Sequence, residues 1–235
     1  MPVRRFRVLA GITVLSGYLQ IALGGLVRVS GSGLGCPDWP LCHGRPYPPP
    51  NYHAIVEYSH RANGVLFGLL LILTVAAGFW LYRGRRTPIT YLTVGTLLAV
   101  VAEGLLGGLV VARQLQPVLV LVHLATALLI LALLVAIFLL VAPAPAARFP
   151  DRSFGRWALL VTGLTYLMLL TGSSVVATNA DLVCKSWPLC GGGLTPNFSG
   201  VAAFAMLHRL TVGVVSLLLL YLLGSALRRF RQVPG

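Results

Sequence analysis

Three histidines in apolar surroundings, His60, His123 and His208, are the residues best able to do chemistry. Ionisable groups within lipid-spanning segments are expensive and tend to be functional. Imidazole ligates iron well, and two imidazoles on facing helices at similar depth form an axial pair for haem iron. A four-helix bundle is a common frame for such a pair. His60 and His208 stand 148 residues apart, and each is followed by an arginine, Arg61 or Arg209. Glu57 lies three residues before His60, which would bring both to one helix face. There a carboxylate could act as a general base or stabilise a developing cation. The plainer alternative is an ion pair with Arg61. At the 148-residue offset Glu57 is matched by Ala205. The ligand is repeated and the carboxylate is not, so a reactive first half and a second half that binds without reacting are expected. Glu103 also falls in an apolar stretch, as a proton relay or a neutral hydrogen-bonding partner for a neighbouring helix.

The four cysteines form two Cys-x5-Cys stretches, CPDWPLC at 36–42 and CKSWPLC at 184–190. In an oxidising compartment Cys36 with Cys42, and Cys184 with Cys190, would be disulfides, either stapling their loops or serving as redox pairs. The spacing differs from the compact Cys-x-x-Cys redox pair. No second pair lies close enough in sequence to either one to suggest zinc. Arg28, Arg61 and Arg209 are expected at the same mouth as the histidines. A guanidinium there could clamp haem propionates bidentately, or simply snorkel to the interface. His43 and His53 carry no ligand role. Trp39 and Trp187 are interface anchors or loop packing.

The elements that must position these residues are membrane helices. The chain has 235 residues, 57% hydrophobic and only 10% charged. Soluble domains average about 25% charged. Six apolar runs reach bilayer-spanning length, near 8–27, 62–82, 89–111, 117–141, 157–177 and 204–227. The first is read as a retained helix, since no small-residue cleavage site follows it. The net charge of +13 does not indicate nucleic acid, because the arginines cluster at alternate span ends. The clusters are Arg4, Arg5 and Arg7; Arg83, Arg85 and Arg86; Arg148, Arg152 and Arg156; and Arg228, Arg229 and Arg231. The positive-inside rule makes these ends and both termini cytoplasmic and puts both cysteine loops outside, in a multi-pass cell-membrane protein.

A repeat organises the spans. Cysteines, Trp-Pro-Leu and His-Arg all recur at the 148-residue offset, so spans one and two return as spans five and six. A fainter echo relates QIALGGLVR at 20–28 to EGLLGGLVV at 103–111, so span three echoes span one and span four, with His123, echoes span two. The Gly-Gly pairs suit close helix approach or room for a flat ligand. The expected fold is all-α: a four-helix bundle at 1–142, a Pro-rich basic linker at 143–156, and a helix pair at 157–235. The outer loop 29–57 is long enough to fold over the bundle mouth. The repeat would put the counterpart of His123 at position 271, past the 235 residues given.

With GSGLGCPDWPLC, EYSHR, the histidine of the fourth span and CKSWPLC followed by LHR on the page, the chain resembles haem A synthases over nearly its whole length. The resemblance implies two pseudo-symmetric four-helix bundles, each with a histidine pair near the outer face. It implies oxidation of the C8 methyl of haem O to a formyl group, by successive hydroxylations and loss of water. His60 and His123 would hold the substrate haem, and Glu57 would stand near the reacting methyl. Cys36 and Cys42 match an outer-loop pair that is structural or assists electron transfer. Cys184, Cys190 and His208 match the half that holds a haem b cofactor. A haem O synthase would supply the substrate, a terminal oxidase would receive haem A, and the two incomplete halves of a homo-oligomer could pair. The rival readings are a bis-His haem b electron carrier, a membrane thiol oxidase using the outer cysteines, and a haem-binding assembly protein.

Overall fold

The computed structural model describes residues 3–82, 88–141, 152–190 and 195–230. They form α1 (Val3–Val29), α2 (Tyr52–Leu81), α3 (Pro88–Ala112), α4 (Pro117–Val141), α5 (Arg152–Ala177), α6 (Ala180–Val183) and α7 (Ala202–Phe230). All except the single turn α6 are long and apolar enough to cross a bilayer. The chain is an all-helical, multi-pass membrane protein. In lipid every backbone N–H and C=O must be satisfied within the segment, which selects helices for such runs.

Helix starts follow from local chemistry. The Asn51 side chain accepts a 2.8 Å hydrogen bond from the Ala54 amide and caps α2. That cap starts the helix ten residues ahead of the apolar run expected from 62, and so brings Glu57 and His60 inside it. α3 and α4 open on Pro88 and Pro117, at the first-turn position where a missing N–H costs nothing. α5 already begins at Arg152, inside the segment expected as linker, while 142–151 lies outside the described residues. Arg83, Arg85, Arg86, Arg148 and Arg231 also lie outside them.

The chain divides into two compact units, Met1–Pro143 and Ala144–Gly235. In the first, α1 packs on α2 and α4, α2 on α3, and α3 on α4, which closes a ring of four helices. Ile130, Leu134, Ile137 and Val141 of α4 are buried at helical spacing, while Leu129, Leu139 and Leu140 face outward as a lipid-facing surface would. Phe67, Leu71 and Val75 of α2 meet Ile130 and Leu134 in the core. Thr13 of α1 and Thr74 of α2 share a buried 2.9 Å hydrogen bond. Such interhelical bonds contribute about 0.6 kcal/mol on average in membranes. In the second unit α5 packs on α7, and α6 contacts both. Its buried cluster is Ala180, Cys184, Cys190, Ala205 and Met206.

Candidate functional site

The three histidines sit on three glycines. His60 of α2 lies against Gly24 of α1, His123 of α4 against Gly107 of α3, and His208 of α7 against Gly172 of α5. A Cβ added at Gly24 or Gly107 would stand 3.2 Å from the imidazole Cε1, and at Gly172 2.9 Å. Any larger residue would push the ring away, so the glycine fixes where the imidazole goes. Gly24 and Gly172 are themselves 148 residues apart.

Each ring also meets a different polar group. The Gln20 amide approaches His60 Nε2 at 3.4 Å. Gln20 is held in turn by Asn63, which donates to its Oε1 at 2.8 Å and to the Ser16 carbonyl at 3.2 Å. His60 Nδ1 is buried with no hydrogen-bond partner. His123 Nδ1 lies 2.9 Å from Glu103 Oε1. The two atoms are at ion-pair distance but out of line for a hydrogen bond, and neither has one elsewhere. Glu103 Oε2 accepts from the Thr126 hydroxyl. His208 Nδ1 pairs with the Thr171 hydroxyl at 2.9 Å. The Nε2 atoms of His123 and His208 have no hydrogen-bond partner among the described residues. Paired imidazoles with unpartnered ring nitrogens, on glycine cradles that a Cβ would fill, fit a flat, iron-centred ligand.

One turn before His60, Glu57 is buried at 3% exposure. Its Oε1 accepts from Arg61 at 2.5 Å and its Oε2 from the Cys36 amide at 2.9 Å. The ion pair with Arg61 is therefore present, and the carboxylate also reaches the cysteine loop. Arg61 reaches that loop as well, donating to the carbonyls of Cys36, Asp38 and Leu41 at 2.8, 2.6 and 2.5 Å. Cys36 and Cys42 are disulfide-bonded and wholly buried. Gly35 lets the loop lie on the first turn of α2, where a Cβ would stand 2.4 Å from the His53 carbonyl. The loop covers one end of the unit: Trp39 rests on Gly108 of α3, and Gly33 meets Leu115 of the α3–α4 turn.

The second unit repeats this anchoring. Cys184 and Cys190 form a disulfide, and Arg209 donates to the carbonyls of Cys184, Ser186 and Pro188 at 3.1, 2.6 and 3.0 Å. Both Trp-Pro peptide bonds, Trp39–Pro40 and Trp187–Pro188, are cis. With Ala205 in place of a carboxylate, the Cys184 amide donates instead to the Ala180 carbonyl at 3.0 Å, and Met206 Sδ accepts from the amide of the other cysteine, Cys190, at 3.4 Å.

The remaining expected residues are spread over the loop surface. Arg28 is exposed in the last turn of α1. His43 and His53 serve the loop itself, through the Gly35 carbonyl and the Ser32 hydroxyl, both at 3.0 Å. Trp187 is 85% exposed, whereas Trp39 is docked. Gln20, Thr171 and the individual glycines were not singled out by sequence reasoning. Gln20 aligns with Glu103 in the fainter repeat and the glycines fall in its Gly-Gly pairs, whereas nothing in the sequence points to Thr171. Beside Glu103 and Thr126, a cavity of about 220 Å³ runs between α3 and α4, lined otherwise by residues such as Ala102, Leu129 and Leu133.

A family model described as COX15-CtaA, cytochrome oxidase assembly protein, matches residues 7–56 and 50–235. The chain is 35% identical over 224 residues to a protein of Symbiobacterium thermophilum named "Heme A synthase", covering 89% of this chain and 72% of that one. It is 31% identical over 235 residues to a protein of the same name from Halalkalibacterium halodurans, covering 97% and 78%. A third, from Alkalihalophilus pseudofirmus, is 30% identical over 237 residues, covering 97% and 79%.

Proposed function

Since the chain belongs to the COX15-CtaA family of cytochrome oxidase assembly proteins, we propose that it is a haem A synthase, the membrane oxidoreductase that converts haem O to haem A. The observation that carries this reading is the constellation in the first unit: His60 and His123 on facing helices, with buried Glu57 one turn before His60. His60 and His123 hold the iron of the substrate haem. The reaction takes the C8 methyl to a formyl group: written with the oxygen at the level of water, four electrons and four protons pass to an external acceptor. Hydroxylation twice at that carbon followed by loss of one water gives the same balance.

Glu57 supplies negative charge beside the reacting edge. Both its oxygens are already engaged, by Arg61 and by the Cys36 amide, so its fixed charge suits stabilising a cation that develops at the methyl carbon. The disulfide loop, pinned by Arg61 and resting on Gly108 and Leu115, covers the end of the unit near Glu57. Arg61 and Arg209 spend their donors on loop carbonyls, so of the three arginines considered Arg28 is the one left for a haem propionate. In the second unit His208 is the ligand for a haem b cofactor, with Thr171 fixing its Nδ1 side. A haem O synthase supplies the substrate, and a terminal oxidase takes the product. The arginine clusters support cytoplasmic termini and outer cysteine loops.

The test is chromatography of haems extracted from membranes that co-express the chain with a haem O source. Haem A or its hydroxylated precursor is the expected product. Bound haem with no conversion, in folded protein, would make the chain an electron carrier instead. Glu57→Ala should retain haem and stop conversion; haem A formed at the parent rate would remove Glu57 from the mechanism.

A further inference from the structure

Gln20 and Glu103 occupy one register of the internal repeat, four residues before Gly24 and Gly107. Each reaches an imidazole, Gln20 at Nε2 of His60 and Glu103 at Nδ1 of His123, yet one is a neutral amide and the other a carboxylate. Gln20 turns its NH2 end to His60, because its carbonyl oxygen is taken by Asn63. Glu103 is oriented by Thr126 through Oε2, which leaves Oε1 2.9 Å from His123 Nδ1. The side chains of His123 and Glu103 are only 28% and 13% exposed, so little solvent screens the contact. Neither atom has a hydrogen-bond partner elsewhere. A slight turn of the ring would make the contact a hydrogen bond.

We propose that Glu103 is a positioning residue for the substrate haem. Its carboxylate accepts the Nδ1–H of His123 as a hydrogen bond, leaves Nε2 as the iron-binding nitrogen, and makes His123 the stronger electron donor of the two imidazoles. This rests on the reading of His60 and His123 as the ligands. The physical ground is that a carboxylate on the far ring nitrogen fixes the tautomer and raises ligand basicity. A more basic ligand and a nearby negative charge both favour ferric over ferrous iron. Gln20 offers no such charge, so the two faces of the haem are electronically unequal, and the donor face is that of α3 and α4.

Potentiometric titration of the purified, haem-loaded chain tests this, with His123→Ala identifying the spectral component that belongs to this site. Glu103→Gln keeps the size of the side chain and its bond to Thr126 but removes the charge. It should retain haem and shift the reduction equilibrium about tenfold towards ferrous, a rise of about 59 mV for one electron. Glu103→Ala should shift it in the same direction and lose part of the haem. An unchanged midpoint in Glu103→Gln, with unchanged electron paramagnetic resonance of the ferric haem, would reduce Glu103 to helix packing and leave the ligand assignment standing. A component untouched by His123→Ala would overturn the ligand assignment and this inference with it.

Discussion

His208 lies so close to Gly172 that a single added methyl on the glycine would stand 2.9 Å from the ring. The equivalent approach of His60 to Gly24 and of His123 to Gly107 is slightly looser, at 3.2 Å. Three helix pairs thus use a glycine to set an imidazole, and the tightness ranks them. Overpacking of this kind costs about 1–3 kcal/mol or displaces the ring. Gly172→Ala should therefore perturb its haem most, with Gly24→Ala and Gly107→Ala weakening the other site less. Haem-to-protein ratio and the reduced α-band of each variant measure this. Gly25→Ala, at a site with nothing within 4 Å, should leave both unchanged.

The α1–α2 loop should have its own pH dependence through Asp38. The amide of Gly44, and also that of His43, donate to its carboxylate and hold its pKa below the ordinary 3.8. A depressed carboxylate contributes stability that is complete above the unfolded value and is lost as pH falls through the folded one. Protection of the His43 and Gly44 amides from hydrogen exchange should therefore persist at pH 5 and fade below about pH 4. Asp38→Asn should weaken that protection at pH 5 and remove its dependence on acid. Because the group is solvent-accessible, the effect should stay local to the loop.

Much of this arrangement was legible in the sequence, because a repeat with a fixed offset needs no structure to be seen. The spans, both cysteine loops and the three histidines follow from hydropathy and the 148-residue spacing. The start of α2 did not, since Asn51 extends the helix beyond its apolar run. The Gly-Gly pairs were legible as room for close approach, but not which glycine does it. Gly24 meets His60 while Gly25 meets nothing, and Gly108 takes Trp39. The work of Arg61 and Arg209 was not legible either. A guanidinium at a helix end is equally suited to a propionate or to loop carbonyls, and only the course of the loop decides. Glu103 and Gln20 left a faint trace, because a polar residue four positions before a glycine is not a periodic signal.

Membrane sidedness can be read directly by thiol labelling. Tyr47 and Phe198 lie in the α1–α2 and α6–α7 loops and are 57% and 53% exposed. Tyr47→Cys and Phe198→Cys should react with a membrane-impermeant maleimide on intact cells. Arg5→Cys, in the first turn of α1, should react only after permeabilisation. The reverse pattern would invert the topology that the arginine clusters support.

Arg61 and Arg209 should differ in what their removal costs, though both pin a disulfide loop. Arg61→Ala leaves the buried Glu57 carboxylate without its cation, and breaking a buried pair in this way costs about 3–5 kcal/mol. Arg209→Ala removes three bonds to loop carbonyls, the same number that Arg61→Ala removes, but Ala205 stands where the first unit has Glu57, so no buried charge is orphaned and the loss should be smaller. Thermal unfolding in detergent, followed by helical circular dichroism, should rank Arg61→Ala well below Arg209→Ala. The double variant Arg61→Ala with Glu57→Ala should recover part of the loss, because the uncompensated charge is gone. Without that recovery, the cost of Arg61→Ala would come from the loop carbonyls alone. The ion pair would then add nothing to stability and would be kept for the charge it holds beside His60.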